Sequence, residues 1–113
     1  MGKTTQLVEE MKETVSRLGK EYPKLAGPFS ALFKHTLEKG ALSTKEKELI
    51  ALALGILSEC KWCIALHTKA AMEAGATKDE IVEACFMAVL MGGAPALAHM
   101  RIAMEALGEL GGQ

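Results

Sequence analysis

Cys60-Lys61-Trp62-Cys63-Ile64-Ala65-Leu66-His67 sets two thiols and one imidazole within a single short stretch. Read as a helix, it places Cys60, Cys63 and His67 at i, i+3 and i+7 along one face, with Trp62 pointing elsewhere. The surroundings favour that reading. Ser58 is a good N-cap ahead of the stretch, and Gly75 supplies a stop after Ala74. On either side stand Ser43-Thr44-Lys45-Glu46 and Thr77-Lys78-Asp79-Glu80. Each is a capping box, in which a hydroxyl caps the helix and a glutamate three residues on reaches back. The first predicts a helix through Leu57. The second predicts a helix with Ile81, Val82, Cys85, Val89 and Leu90 facing inward.

Toward the N-terminus, Leu7, Val8, Met11, Val15 and Leu18 recur at helical spacing from Thr5 to about Lys20. Gly19 and Pro23 end this helix, and the proline forces Tyr22 into an extended or turn geometry. Pro28 then opens a second helix that carries Phe29, Leu32, Phe33 and Leu37 inward, with Gly40 as its left-handed cap. Beyond the fifth helix, Gly92-Gly93 is a break and Pro95 suits the first turn of a sixth, which carries Leu97, Met100, Arg101, Met104 and Leu107. The expected fold is all-α: a compact bundle of about six helices with short connections, in one domain over residues 1–113.

Composition agrees and excludes other classes. Of 113 residues, 50% are hydrophobic and 24% charged, enough for a packed core and unlike a disordered chain. A formal net charge of −1, with no basic stripe interleaved with aromatics, offers no case for nucleic acid. The weakly charged run from Leu49 to Ser58 is too short to span a bilayer, which takes about 20 residues. Met1 to Arg17 lacks the apolar core of a signal peptide, so a soluble cytoplasmic protein with no membrane partner is expected. Three cysteines, two of them in C-x-x-C, do not make a structural disulfide framework. So short a chain has little volume to bury this much apolar surface, which predicts a homo-oligomer.

Thiol redox chemistry needs a thiolate, a second thiol within reach and a group that manages protons. Cys60 and Cys63 are helix neighbours near unpaired N-terminal amides that favour an anion, and His67, one turn past Cys63, is a candidate base. Glu48 joins them. It shares a line with Leu52 and Gly55, where an ionised carboxylate needs a partner. If the third and fourth helices turn back near Ser58-Glu59, a rise of about 1.5 Å per residue puts Glu48 about 15 Å and His67 about 12 Å from the turn, so the two can meet. Glu48 would then orient the imidazole and raise its basicity. Gly55, which costs about 1 kcal/mol relative to Ala inside a helix, predicts close approach by a neighbouring helix.

Other readings of the same residues stand beside this one. Cys60, Cys63, His67 and Glu48 could be four zinc ligands, although three of them share one predicted helix, unlike the knuckles and loops common in structural zinc sites. The thiols could also be packing groups. Haem attachment is excluded, because it needs histidine directly after the second cysteine. Cys85 reads as core, His35 as a partly exposed or interfacial histidine, and His99 as a satisfied core or interface histidine. Glu59 reads as a first-turn acid complementing the helix dipole. It would oppose a thiolate on Cys60, which favours Cys63 as nucleophile.

Glu48, then Cys60-x-x-Cys63-x-x-x-His67, then Thr68-Lys69-Ala70-Ala71-x-x-Ala74-Gly75-Ala76-Thr77-x-x-Glu80-Ile81, resembles the carboxymuconolactone decarboxylase superfamily, specifically its alkyl hydroperoxidase D-like branch. The likeness is specific from about Leu42 to Leu90. It implies a thiol-dependent peroxidase or disulfide reductase whose substrate is a hydroperoxide, with Cys63 as attacking thiolate and Cys60 as resolving thiol. It also implies that Glu48 and His67 are a proton relay acting on Cys63, in part through water. A dithiol such as a lipoyl protein or a thioredoxin-like protein would restore the pair, no cofactor or metal would be needed, and the assembly would be a trimer or hexamer. Where the best-characterised members carry a second histidine just before the attacking cysteine, this chain has Trp62. Decarboxylase members act on a lactone and lack the cysteine pair. The non-enzymatic alternative is an oligomeric redox-sensing module whose cysteine pair switches assembly.

Overall fold

The computed structural model describes residues 2–111, which form six α-helices and, among these residues, no strand. They are α1 (Lys3–Glu21), α2 (Pro23–Leu37), α3 (Thr44–Leu57), α4 (Lys61–Glu73), α5 (Lys78–Gly92) and α6 (Ala94–Gly111). None of them is long and apolar enough to cross a membrane.

Both capping boxes form. Ser43 Oγ accepts from the Glu46 amide at 3.0 Å while Glu46 Oε1 accepts from the Ser43 amide at 2.8 Å; at α5 the corresponding Thr77–Glu80 distances are 3.1 and 2.8 Å. With their starts fixed, α3, α4 and α5 bring Leu52, Ile56, Ile64, Ala71, Ile81 and Cys85 into one core, which α6 completes with Ala96, Met100, Ala103 and Leu107. Each large aliphatic side chain removed from water there contributes about 1.5–3 kcal/mol. The buried stripes are narrower than the sequence predicts. Val82 and Val89 are half-buried, and Leu90, Leu97 and Met104 face outward.

The end of α4 is closed as expected. Gly75, at φ 95°, lets its own amide reach Met72 O (3.0 Å) and the Ala76 amide reach Ala71 O (2.9 Å), which satisfies carbonyls the helix leaves open. Gly93, at φ 70°, similarly separates α5 from α6.

The first two helices correct the sequence reading. α1 runs through Gly19 to Glu21, and only Tyr22 (φ −135°, ψ 61°) is non-helical before α2. Pro23, not Pro28, is the opening proline, because its missing amide falls where a helix has no use for one. Pro28 sits inside α2 and leaves the Lys24 carbonyl without its helical donor, which is tolerated because Lys24 is exposed to water. The helix ends at Leu37 with Glu38 in extended geometry, so Gly40 is no left-handed cap. The inward face of α2 is also thinner than expected: no residue of it is fully buried, Leu37 is half-buried, and Leu25, Phe29 and Leu32 are 77%, 60% and 65% exposed.

α1 is pinned by the far end of the chain. The Glu109 carboxylate of α6 accepts from the Thr4 amide at 3.0 Å, the Thr5 amide at 3.1 Å and Thr5 Oγ1 at 2.7 Å. It thus caps α1 in place of Gly2, which has no side chain to offer. The Thr5 hydroxyl first, and then the Thr4 amide, lower the Glu109 pKa from its ordinary 4.5. A lowered carboxylate pKa stabilises the fold above the unfolded value and ceases to do so as pH falls through the folded one. Glu109→Ala is therefore expected to melt a few degrees lower at pH 7. The gap should close as the pH is taken below 4.5, as followed by circular dichroism melts across pH.

Candidate active site

The site is assembled where α3 turns into α4. Gly55 on α3 is buried, and a Cβ placed on it would lie 3.1 Å from Cys63 Cβ and 3.5 Å from Ile64 N. The close helix approach expected from this glycine is thus real, and its neighbour is the second cysteine. Glu48 and Leu52, on the same line of α3, are buried as well.

The turn itself departs from the sequence reading. Ser58 does not cap α4; it ends α3, its hydroxyl turned back to Leu54 O at 2.8 Å. Glu59 is not in the first turn of a helix but between the two helices, in left-handed geometry at φ 57°. The amides of Glu59 and Cys60 reach back to Ile56 O (3.1 Å) and Gly55 O (3.0 Å), the closure seen after α4, here made without glycine. Cys60 is then the N-cap of α4, and its Sγ accepts from the Cys63 amide at 3.1 Å. The signal for this was present. An N-cap side chain bonds the amide three residues on, and Cys60 stands three residues before Cys63.

Cys60 and Cys63 are joined as a disulfide with their Cα atoms 5.2 Å apart. Both are half-buried at the helix start, where unpaired amides and the helix dipole favour a thiolate once the bond is reduced.

One turn further, His67 Nδ1 lies 2.7 Å from Glu48 Oε1, with the two side chains only 9% and 8% exposed. The pairing expected from helix rise alone is present. An ionised carboxylate only accepts, so Nδ1 carries the proton and Nε2 is left as the basic nitrogen. The ring of Phe33 stacks on the imidazole, with centroids 5.8 Å apart and 30° between planes. Nothing in the sequence singled out Phe33, because helical spacing assigned it to the core. Trp62 turns away toward α1, its Nε1 donating to Glu10 Oε1 at 3.2 Å.

The remaining candidates lie outside this cluster. Cys85 is buried in the core on α5, and burial pushes its thiol up to about 11, so it stays protonated at neutral pH. His35 is exposed and pairs with Glu38 at 2.8 Å, while His99 Nδ1 bonds Pro95 O at 2.8 Å. Among the described residues, no group of three or more His, Cys, Asp or Glu side chains is arranged to hold a metal ion.

The carboxymuconolactone decarboxylase family model matches residues 23–106, which takes in α2 to α5, most of α6 and every residue of this cluster. The chain belongs to that family. Among solved structures, this family member is similar to a carboxymuconolactone decarboxylase family protein of Legionella pneumophila, with 36% identity, a TM-score of 0.88, and 95% of this chain and 96% of that one covered. It is also similar to a family protein of Thermotoga maritima named as a candidate for an antioxidative response, with 30% identity, a TM-score of 0.84 and 93% and 89% of the two chains covered. In sequence it is 40% identical, over 74% of its length and 76% of the relative's, to protein 4 of the cox locus of Paracoccus denitrificans.

Proposed function

We propose that this family member is a thiol-dependent peroxidase or disulfide reductase of the alkyl hydroperoxidase D-like kind, its 113 residues forming one domain. The observation that carries this reading is a bonded cysteine pair at the start of α4, with His67 one turn along the same helix and hydrogen-bonded, in a buried pair, to Glu48 of α3. The Thermotoga maritima relative's naming points the same way. The alternative is a carboxymuconolactone decarboxylase-type enzyme, against which the cysteine pair counts.

In this reading the Cys63 thiolate attacks the terminal oxygen of a hydroperoxide. The O–O bond breaks, an S–O bond forms, and the departing alkoxide takes a proton and leaves as an alcohol. His67, oriented by Glu48, removes the thiol proton and returns it, in part through water. The Cys60 thiol then gives up its proton and its sulfur attacks the Cys63 sulfenic acid; the S–O bond breaks, the disulfide forms, and the departing hydroxide takes that proton and leaves as water. An external dithiol, on a lipoyl protein or a thioredoxin-like protein, reduces the disulfide and is itself oxidised. The exposed apolar side chains of α2 and of Leu90 and Met91 on α5 support assembly into a homo-oligomer such as a trimer or hexamer, which analytical ultracentrifugation reads directly.

The cysteine roles are tested by single substitutions. With Cys60→Ser, one hydroperoxide equivalent should leave a sulfenic acid on Cys63 that dimedone traps, while Cys63→Ser should abolish turnover. Turnover that survives Cys63→Ser removes this mechanism.

A further inference from the structure

We infer that Phe33 is a positioning residue for His67: its ring holds the imidazole in the plane that serves Cys63 and keeps water from the Glu48–His67 hydrogen bond. This rests on the peroxidase reading for its role in turnover, though not for its geometry.

A helix that, like α2, fully buries none of its residues is not there to complete the core. Its C-terminal end is nevertheless tied to α3, because Thr44 Oγ1 donates to Leu37 O at 3.3 Å and Lys47 Nζ donates to Glu38 O at 2.6 Å. One turn before that anchor, Phe33 is less exposed than Leu25, Phe29 or Leu32, and its ring faces His67. Phe29 stands against Phe33, with centroids 6.3 Å apart and 34° between planes.

What this does to His67 follows from its bonding. The single hydrogen bond from Nδ1 to Glu48 fixes where that nitrogen lies but leaves the ring able to rock about the bond. A flat ring at 5.8 Å and 30° is an offset stack, which restrains that motion in a way an aliphatic side chain cannot. The same ring covers the pair. The two polar side chains beneath it are only 9% and 8% exposed. A general base must point its free nitrogen at one proton, so a loosely held imidazole is a slower one.

Long-range ¹⁵N–¹H spectra of His67 in the reduced protein test this at neutral pH. Wild type should show a single Nδ1–H tautomer. Phe33→Ala should show an averaged pattern from tautomers in exchange with water, and Phe33→Tyr, which restores a flat ring, should recover the single form. Hydroperoxide-driven thiol loss should fall about tenfold in Phe33→Ala with the fold retained, and return in Phe33→Tyr. A pure Nδ1–H pattern persisting in Phe33→Ala overturns the inference, as does an averaged pattern that Phe33→Tyr fails to correct. If wild type consumes no hydroperoxide, the peroxidase reading fails, and the spectra still decide whether Phe33 positions the ring.

Discussion

Glu48→Gln is expected to slow hydroperoxide reduction by about 10²–10³-fold while the protein stays folded. The substitution keeps volume and shape but changes which atom carries the proton. Glu48 can only accept from His67 Nδ1, which leaves Nε2 basic. A glutamine amide can instead donate to Nδ1, and an imidazole so bonded carries its proton on Nε2, where it is no longer a base. With its proton acceptor turned away, Cys63 should also be alkylated more slowly in the reduced variant than in wild type at neutral pH. Stopped-flow measurement of thiol loss gives the rate, and a variant within twofold of wild type would exclude the relay.

Gly55→Val is expected to cost about 2–3 kcal/mol of stability and to damage the redox site together with the fold. A Cβ at residue 55 already falls 3.1 Å from Cys63 Cβ and 3.5 Å from the Cys63 carbonyl carbon and Ile64 N. Two of these three neighbours are backbone atoms of α4, which cannot turn aside as a flexible side chain could. The additional γ-carbons of valine must push α3 and α4 apart at the cysteine itself. Gly55→Ala is the instructive companion. The helix propensity it gains, about 1 kcal/mol, offsets the mild crowding, so its stability should lie close to wild type. Chemical denaturation of both variants measures the contrast.

Much of this was legible in the sequence, for reasons that differ from residue to residue. The capping boxes at Ser43 and Thr77 are local devices, complete within four residues, and both formed as read. The Glu48–His67 pair was legible because helix rise is constant, so two residues nearly equidistant from one turn must come together. Gly55 was legible because a costly residue inside a helix needs a compensating contact. The failures come from competition that a local pattern does not reveal. Pro23 and Pro28 are both acceptable first-turn prolines, and Tyr22 alone separates α1 from α2. Helical spacing shows that Phe29, Leu32 and Phe33 share a face, but not what covers it; in the single chain little does. Ser58 is a better cap by composition than Cys60, yet its hydroxyl is taken by Leu54 O and the chain turns at Glu59 before α4 begins. Phe33 became visible only once α2 was placed over His67.

The most direct test of the central claim is stoichiometric. The protein is reduced, freed of reductant under anaerobic conditions, given one equivalent of an organic hydroperoxide, and then analysed by thiol titration and peptide mass spectrometry. The account predicts the loss of two thiols for each hydroperoxide consumed, one equivalent of the corresponding alcohol, and a single disulfide between Cys60 and Cys63 with Cys85 still free. All three thiols remaining after one equivalent, or a disulfide that includes Cys85, would contradict it.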